Sequence, residues 1–154
     1  MIGHFSLNGR RVKNKILAYG REKMLRTMLM GQSPESGWYV ALLSEIDITK
    51  VADTATFANK NWTEFTQYTI SGDDSIRPTW TPKDTQSIDN IVEYNEVSII
   101  STATETTIIT GLLLCDRIYK DEIEYHIFSI AQAFPTEVLY PGGTMKVGYT
   151  VAYV

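Results

Sequence analysis

Two histidines, one cysteine and one pair of adjacent aspartates are the side chains with which this chain could do chemistry. A nucleophile needs a base within hydrogen-bond reach. His126, in Tyr125-His126-Ile127, is the histidine of the chain's body. In a strand it faces opposite to both neighbours, and it reads as a surface or internally satisfied side chain rather than a base. Cys115 follows Leu112-Leu113-Leu114, and apolar surroundings raise a thiol's pKa and make it inert. Asp73-Asp74 lies in Ser71-Gly72-Asp73-Asp74-Ser75. Two carboxylates fall short of the about six to eight oxygens that calcium takes, so the segment reads as a solvated turn. A lone cysteine makes neither an intramolecular disulfide nor a cysteine zinc cage. The sequence has no Gly-x-Ser-x-Gly elbow, phosphate loop or dinucleotide fingerprint. The expectation is a chain that is not an enzyme, with no catalytic residue, no cofactor and no metal site. Three tryptophans and nine tyrosines suit either a sugar-stacking surface or strand packing, and packing is the expected use.

Charge is more informative. The chain has 154 residues, 44% hydrophobic and 21% charged, and a net charge of −4. That composition fits one packed domain and excludes disordered or collagen-like scaffolds. Residues 1–26 hold Arg10, Arg11, Lys13, Lys15, Arg21, Lys23 and Arg26 against a single acid, Glu22. The remaining 128 residues carry 7 basic and 17 acidic ones. A cationic head on an acidic body is a statement about partners. It reads as a solvated helix face or as a surface that docks on an acidic partner. Nucleic acid is disfavoured, because the body repels phosphates. No apolar run reaches the ~18 residues of a membrane span, and no secretory leader is expected.

The elements that would position these groups are mainly β. Residues 1–13 read as an extended basic arm. Asn14 would cap a helix over about 14–30. Val12, Ile16, Leu17, Gly20, Met24, Leu25, Met28 and Leu29 recur at helical spacing, and that stripe is expected to pack on a sheet. Gly31 stops the helix. From Trp38 the composition turns to threonine and β-branched residues, and all threonines but Thr27 follow residue 48. Trp38 to Leu43 has few polar breaks and reads as a strand covered on both faces. Residues 45–64 are a polar excursion with room for a short helix. Phe65 to Ile70 reads as a brief strand. Arg77-Pro78-Thr79-Trp80-Thr81-Pro82 reads as an edge segment pinned by Trp80, since proline lacks the ladder donor. Strands are expected over Glu93–Ser101, Thr106–Cys115, Ile123–Ala131 and Met145–Val154, with Gly111 as a bulge or close approach. In the last strand Met145, Val147, Tyr149, Val151 and Tyr153 share a face. Short connections favour antiparallel neighbours. The fold expected is an antiparallel β-sandwich over residues 14–154 that begins with one N-terminal α-helix.

The order of these segments resembles a family of small tailed-bacteriophage virion proteins. The resemblance covers about residues 14–152. It rests on Trp38-Tyr39-Val40-Ala41-Leu42-Leu43-Ser44, Thr63-Glu64-Phe65-Thr66-Gln67-Tyr68, Arg77-Pro78-Thr79-Trp80-Thr81, Gly111-Leu112-Leu113-Leu114 and Pro141-Gly142-Gly143-Thr144-Met145-Lys146-Val147-Gly148-Tyr149-Thr150. Gly142-Gly143-Thr144 departs from the family's Gly-Asp-Thr, and the basic segment before residue 14 is longer. The resemblance implies a decoration, or cement, protein on the outside of a capsid shell. Its partners would be the major capsid protein and further copies of itself, a homotrimer being favoured over a dimer. Arg10, Arg11, Lys13 and Lys15 would contact the shell or a neighbouring protomer. A head–tail connector, tail or fibre-attachment protein is the alternative, and a carbohydrate-binding β module is a third.

Overall fold

Hydrophobic residues that alternate along the chain pair here into two antiparallel sheets, joined by a single N-terminal helix among the described residues. The computed structural model describes residues 2–33, 37–81, 91–92 and 96–152. The elements in order are β1 (Ile2–Leu7), β2 (Arg10–Lys13), β3 (Lys15–Ile16), α1 (Ala18–Met30), β4 (Trp38–Ile46), β5 (Trp62–Phe65), β6 (Tyr68–Thr69), β7 (Thr79–Trp80), β8 (Ile91–Val92), β9 (Val97–Ser101), β10 (Thr107–Cys115), β11 (Ile127–Leu139) and β12 (Thr144–Ala152). The first sheet runs β2-β1-β12-β9-β6, with β8 also on β12. The second runs β3-β11-β10-β4-β5, with β7 also on β4. This is the expected β-sandwich.

The main core lies between the sheets. Phe5, Leu7, Ile99, Met145, Val147 and Tyr149 meet Val40, Leu42, Leu112 and Leu114 there. A second core covers the far face of the second sheet, where Ala41, Leu43, Leu113 and Cys115 pack with Trp62, Tyr125 and Val51. Strand β4 therefore sends alternate residues into two cores, which is why it carries so few polar side chains. The excursion after it supplies the cover and contains two 3-10 turns, Ile48–Lys50 and Phe57–Asn59. Gly111 sits at a register shift, where an added Cβ would lie 2.4 Å from the Ala131 carbonyl oxygen. Trp80 is pinned as expected, its Nε1 donating to the Tyr149 carbonyl at 2.9 Å.

Four expectations change. The segment expected as an arm over residues 1–13 is, over the described residues 2–13, not a free arm. Asn8 and Gly9 take positive φ of 50° and 79°, the conformation of a type I′ hairpin turn. The hairpin pairs β1 with both β2 and β12, and it buries Phe5, Leu7 and Val12. The helix begins at Ala18, because Lys15 and Ile16 pair with β11 instead. Asn14 caps nothing there; its Nδ2 donates to the Tyr149 hydroxyl at 2.7 Å. Strand β11 begins at Ile127 and runs on to Leu139, while residues 123–126 belong to a loop. The start of the expected Glu93–Ser101 strand, residues 93–95, lies outside the described residues, as do residues 82–90 and 153–154.

The last change concerns the helical stripe. Leu17 is buried and Met24 packs against the main core. Beyond Met24 the large apolar side chains of the helix stand open among the described residues: Leu25 is 57% exposed, Met28 65%, Leu29 76% and Met30 67%. What fixes α1 is its first half, where Gly20 lies against the backbone of Phe128. An added Cβ on Gly20 would stand 2.3 Å from the Phe128 carbonyl oxygen. Ala normally stabilises a helix interior relative to Gly by about 1 kcal/mol. Here the sign reverses: Gly20→Ala is expected to destabilise the protein by about 1–3 kcal/mol. Urea unfolding checks this, and an unchanged or raised midpoint would contradict the packing described.

Candidate functional site

The loop between β10 and β11 gathers most of the buried polar chemistry. Arg77 enters it fully buried. Its Nε donates to Glu64 Oε1 at 2.7 Å and its Nη2 to Glu64 Oε2 at 3.1 Å. The same guanidinium donates to the carbonyls of Arg117 at 3.0 Å, Glu122 at 3.3 Å and Lys120 at 3.5 Å, and to that of Tyr119. Burial alone would lower its pKa, but the bonds and charge of Glu64 outweigh that and the net shift is upward. Lys120 returns from the loop, with its Nζ 3.6 Å from the Tyr68 ring centroid. That ammonium donates to the carbonyls of Thr66 at 2.9 Å, Asp74 at 2.8 Å, and Tyr68. Burial lowers its pKa to about 8. A Lys near that value suits nucleophilic or Schiff-base chemistry, but these three bonds account for an ammonium's three donors. Lys120 therefore acts here as a staple between loops. Beside it opens a cleft of about 790 Å³, lined by Thr66, Asp74, Ser75, Tyr119, Asp121 and Glu122 as well as Lys120.

His126 sits at the other end of this loop. Its Nδ1 lies 2.8 Å from Asp116 Oδ2, and its backbone N–H donates to Asp116 Oδ1 at 2.9 Å. The carboxylate is buried while the imidazole is more than half exposed. The ring also stacks on Tyr19, with centroids 4.5 Å apart. A carboxylate on Nδ1 orients an imidazole for base or metal-ligand work at Nε2. Among the described residues no hydroxyl or thiol bonds to this ring, and no group of three metal-ligating side chains forms around it. What the pair visibly does is fasten the start of α1 to the start of β11.

The remaining sequence candidates are accounted for by packing. Cys115 is buried in the second core, and burial pushes its thiol up to about 12. Asp73 accepts from the backbone and hydroxyl of Ser75 at 2.8 Å and 2.6 Å, closing its own turn. Trp62 is buried and Trp80 is half-buried, so neither ring offers the open face a sugar would stack on.

The four basic contact candidates separate into two pairs. Arg10 bonds Glu137 at 3.0 Å and the Pro135 carbonyl at 2.6 Å. Lys15 donates to the Val51 carbonyl at 2.7 Å. Arg11 and Lys13 have no ion-pair or hydrogen-bond partner among the described residues. Both stand on edge strand β2, Lys13 opposite His4 and Arg11 opposite Ser6. Burial, then the charges of Arg11 and Lys13, lower the pKa of His4. The hairpin thus presents two uncompensated cations on a fixed strand. Comparison with protein-family models, curated proteins and solved structures finds no match to this chain.

Sequence reasoning missed the Asp116–His126 pair and the burial of Arg77. Arg77 was visible only as part of an Arg-Pro-Thr-Trp segment, because its Glu64 partner is 13 residues away. The thiol yields a test with a definite sign. Between pH 9.0, its ordinary value, and about 12, the unfolded chain releases the Cys115 proton while the native chain keeps it. The native state then binds more protons, so stability falls as pH rises through that window. Cys115→Ala is expected to flatten that fall in unfolding measurements across the window. The native thiol should also stay unreactive to a disulfide reagent near neutral pH and react in denaturant. Rapid native reaction would contradict the burial.

Proposed function

We propose that the chain is a structural protein of a tailed-bacteriophage virion that binds the outside of the capsid shell as a decoration protein. The observation that supports this reading best is the hairpin edge, where Arg11 and Lys13 stand uncompensated on a strand held in the sheet. The resemblance of the β4, β10 and β12 segments to that virion family points the same way. The major capsid protein would supply the acidic surface. Arg10 and Lys15 drop out as primary contacts, since both already have partners inside the protein. Docking is then a rigid fit rather than the folding of a free arm, so little ordering entropy opposes it.

The mechanism is linkage. A domain that binds only the assembled shell stabilises that state by mass action. Copies that bridge neighbouring capsomers add their effects through geometry even when each contact is weak. Charge on the hairpin sets approach and orientation more than final affinity. The host cytoplasm is where such a chain would be made, and the capsid surface is where it would act, with neither nucleic acid nor a membrane as a partner.

The test is co-sedimentation with purified expanded shells at several salt concentrations. Arg11→Glu with Lys13→Glu is expected to weaken binding by at least about tenfold at low salt and to flatten its salt dependence. Lys15→Met is expected to lower stability instead and leave binding by the folded fraction unchanged. Unchanged binding of the Arg11/Lys13 double variant would overturn the contact.

A further inference from the structure

The outer face of the β1–β2 hairpin gathers an imidazole among cations. Phe5, Leu7 and Val12 point into the main core. His4, Ser6, Arg11 and Lys13 therefore share the opposite face. Antiparallel register sets Lys13 directly across from His4 and Arg11 across from Ser6, a separation of roughly 5 Å between Cβ atoms. Lys146 joins the same face from β12, since Met145, Val147 and Tyr149 turn inward. Thr150 stands across from His4 on β12. Just before β9, Glu96 accepts from the Ser6 hydroxyl at 2.5 Å. Arg11, Lys13 and Lys146 have no ion-pair partner among the described residues. Burial, then the charges of Arg11 and Lys13, hold the half-buried His4 imidazole below its ordinary pKa of 6.5, so it is neutral in the free protein at neutral pH.

We propose that this face binds a carboxylate-bearing protein surface together with a proton, His4 becoming a further cation of the contact as the partner's acids arrive. The inference rests on the hairpin docking described above and adds the regulation of that contact by pH. Without a partner, protonating His4 places a charge beside Arg11 and Lys13 and is opposed. Carboxylates laid over the face reverse that balance, because an opposite charge within about 4–6 Å favours the imidazolium. The bound state then holds more protons than the free one, so affinity rises as pH falls. The free chain carries the opposite sign. His4 takes its proton less readily folded than unfolded, so it lowers folding stability as pH drops below 6.5. Acid therefore disfavours the isolated domain through this group and favours the docked one. An acidic protein patch suits the face better than a nucleic acid does. Strand β1 pairs on both edges, with β2 and β12, so its backbone is committed and only side chains meet the ligand. A local patch also keeps a long polyanion away from the acidic remainder of the chain.

The probe is a rhodamine-labelled oligoaspartate peptide, whose binding to the full chain is read by anisotropy at low salt. The wild type is expected to gain at least about threefold in affinity between about pH 8 and about pH 5.5, where aspartates remain ionised. His4→Gln should keep the wild type's affinity at the higher pH and lose the gain. His126→Gln, which removes the other histidine, should keep the gain. Arg11→Gln with Lys13→Gln should weaken binding at both pH values. In that variant an NMR titration should find the His4 pKa moved up toward 6.5. Circular dichroism confirms folding of each variant. A gain that survives His4→Gln, or that disappears with His126→Gln, would overturn the proposal. Wild-type binding that ignores pH would overturn it too and leave the Arg11 and Lys13 contact standing. Absence of binding at both pH values would overturn the proposal and the hairpin contact together. Tighter binding of an oligothymidylate of equal charge would overturn the choice of partner. Since the peptide stands in for the shell, failed shell binding with these results intact would count against the virion reading alone.

Discussion

An arginine taken out of water keeps its charge, so each of its five N–H groups must find an acceptor inside the protein. Arg77 meets that condition with one carboxylate and four backbone carbonyls. These acceptors come from β5 and from the connection between β10 and β11, segments far apart in sequence. The guanidinium also lies over the Tyr125 ring, 5.1 Å from its centroid, on the second core. Removing either partner would strand the other charge in the interior, which typically costs about 3–5 kcal/mol. The constraint is therefore geometric: the loop of eleven residues between β10 and β11, which would otherwise wander, is held at four carbonyls. Its far end then delivers Tyr125 to Trp62 and Phe57, and His126 to Asp116 and Tyr19.

Surfaces follow from that arrangement. The second sheet is covered on both faces, by the first sheet and by the segment after β4. The hairpin edge of the first sheet is charged. Lys and Arg on an edge strand discourage unwanted strand pairing, and the same charges are available to a partner of opposite sign. The helix is fixed over its first half by Gly20 and by the Tyr19–His126 stack, and the large apolar side chains of its second half are exposed among the described residues. Under the proposed reading, that division separates a stiff body from outward contact surfaces, as suits a protein that acts by binding.

Much of the fold was legible in local pattern. Trp38 to Leu43 showed burial on both faces by its lack of polar residues, and Met145, Val147 and Tyr149 showed one buried face by strict alternation. Gly111 marked a close approach, as a glycine inside a strand often does. The misreadings have separate physical causes. Asn8-Gly9 between apolar alternations is a hairpin signal, and the density of positive charge around it drew the reading toward a free arm. Asn14 looked like a helix cap, but tertiary pairing of Lys15 and Ile16 with β11 overrode that local preference. Helical periodicity located an apolar stripe at Met24 to Leu29 but carries no information on whether anything lies opposite it. The candidate site was least legible. Arginine is almost never fully buried unless paired, and Arg77's acceptors are mostly backbone carbonyls, which leave no mark in a sequence.

The central claim, a structural component of a capsid shell, is tested most directly by counting. On the proposed reading, quantitative mass spectrometry of purified virions gives the ratio of this chain to the major capsid protein. A decoration protein predicts a ratio near one copy per shell subunit, or one ring per local three-fold position. A ratio of a few per cent, or absence from the particle, would contradict it.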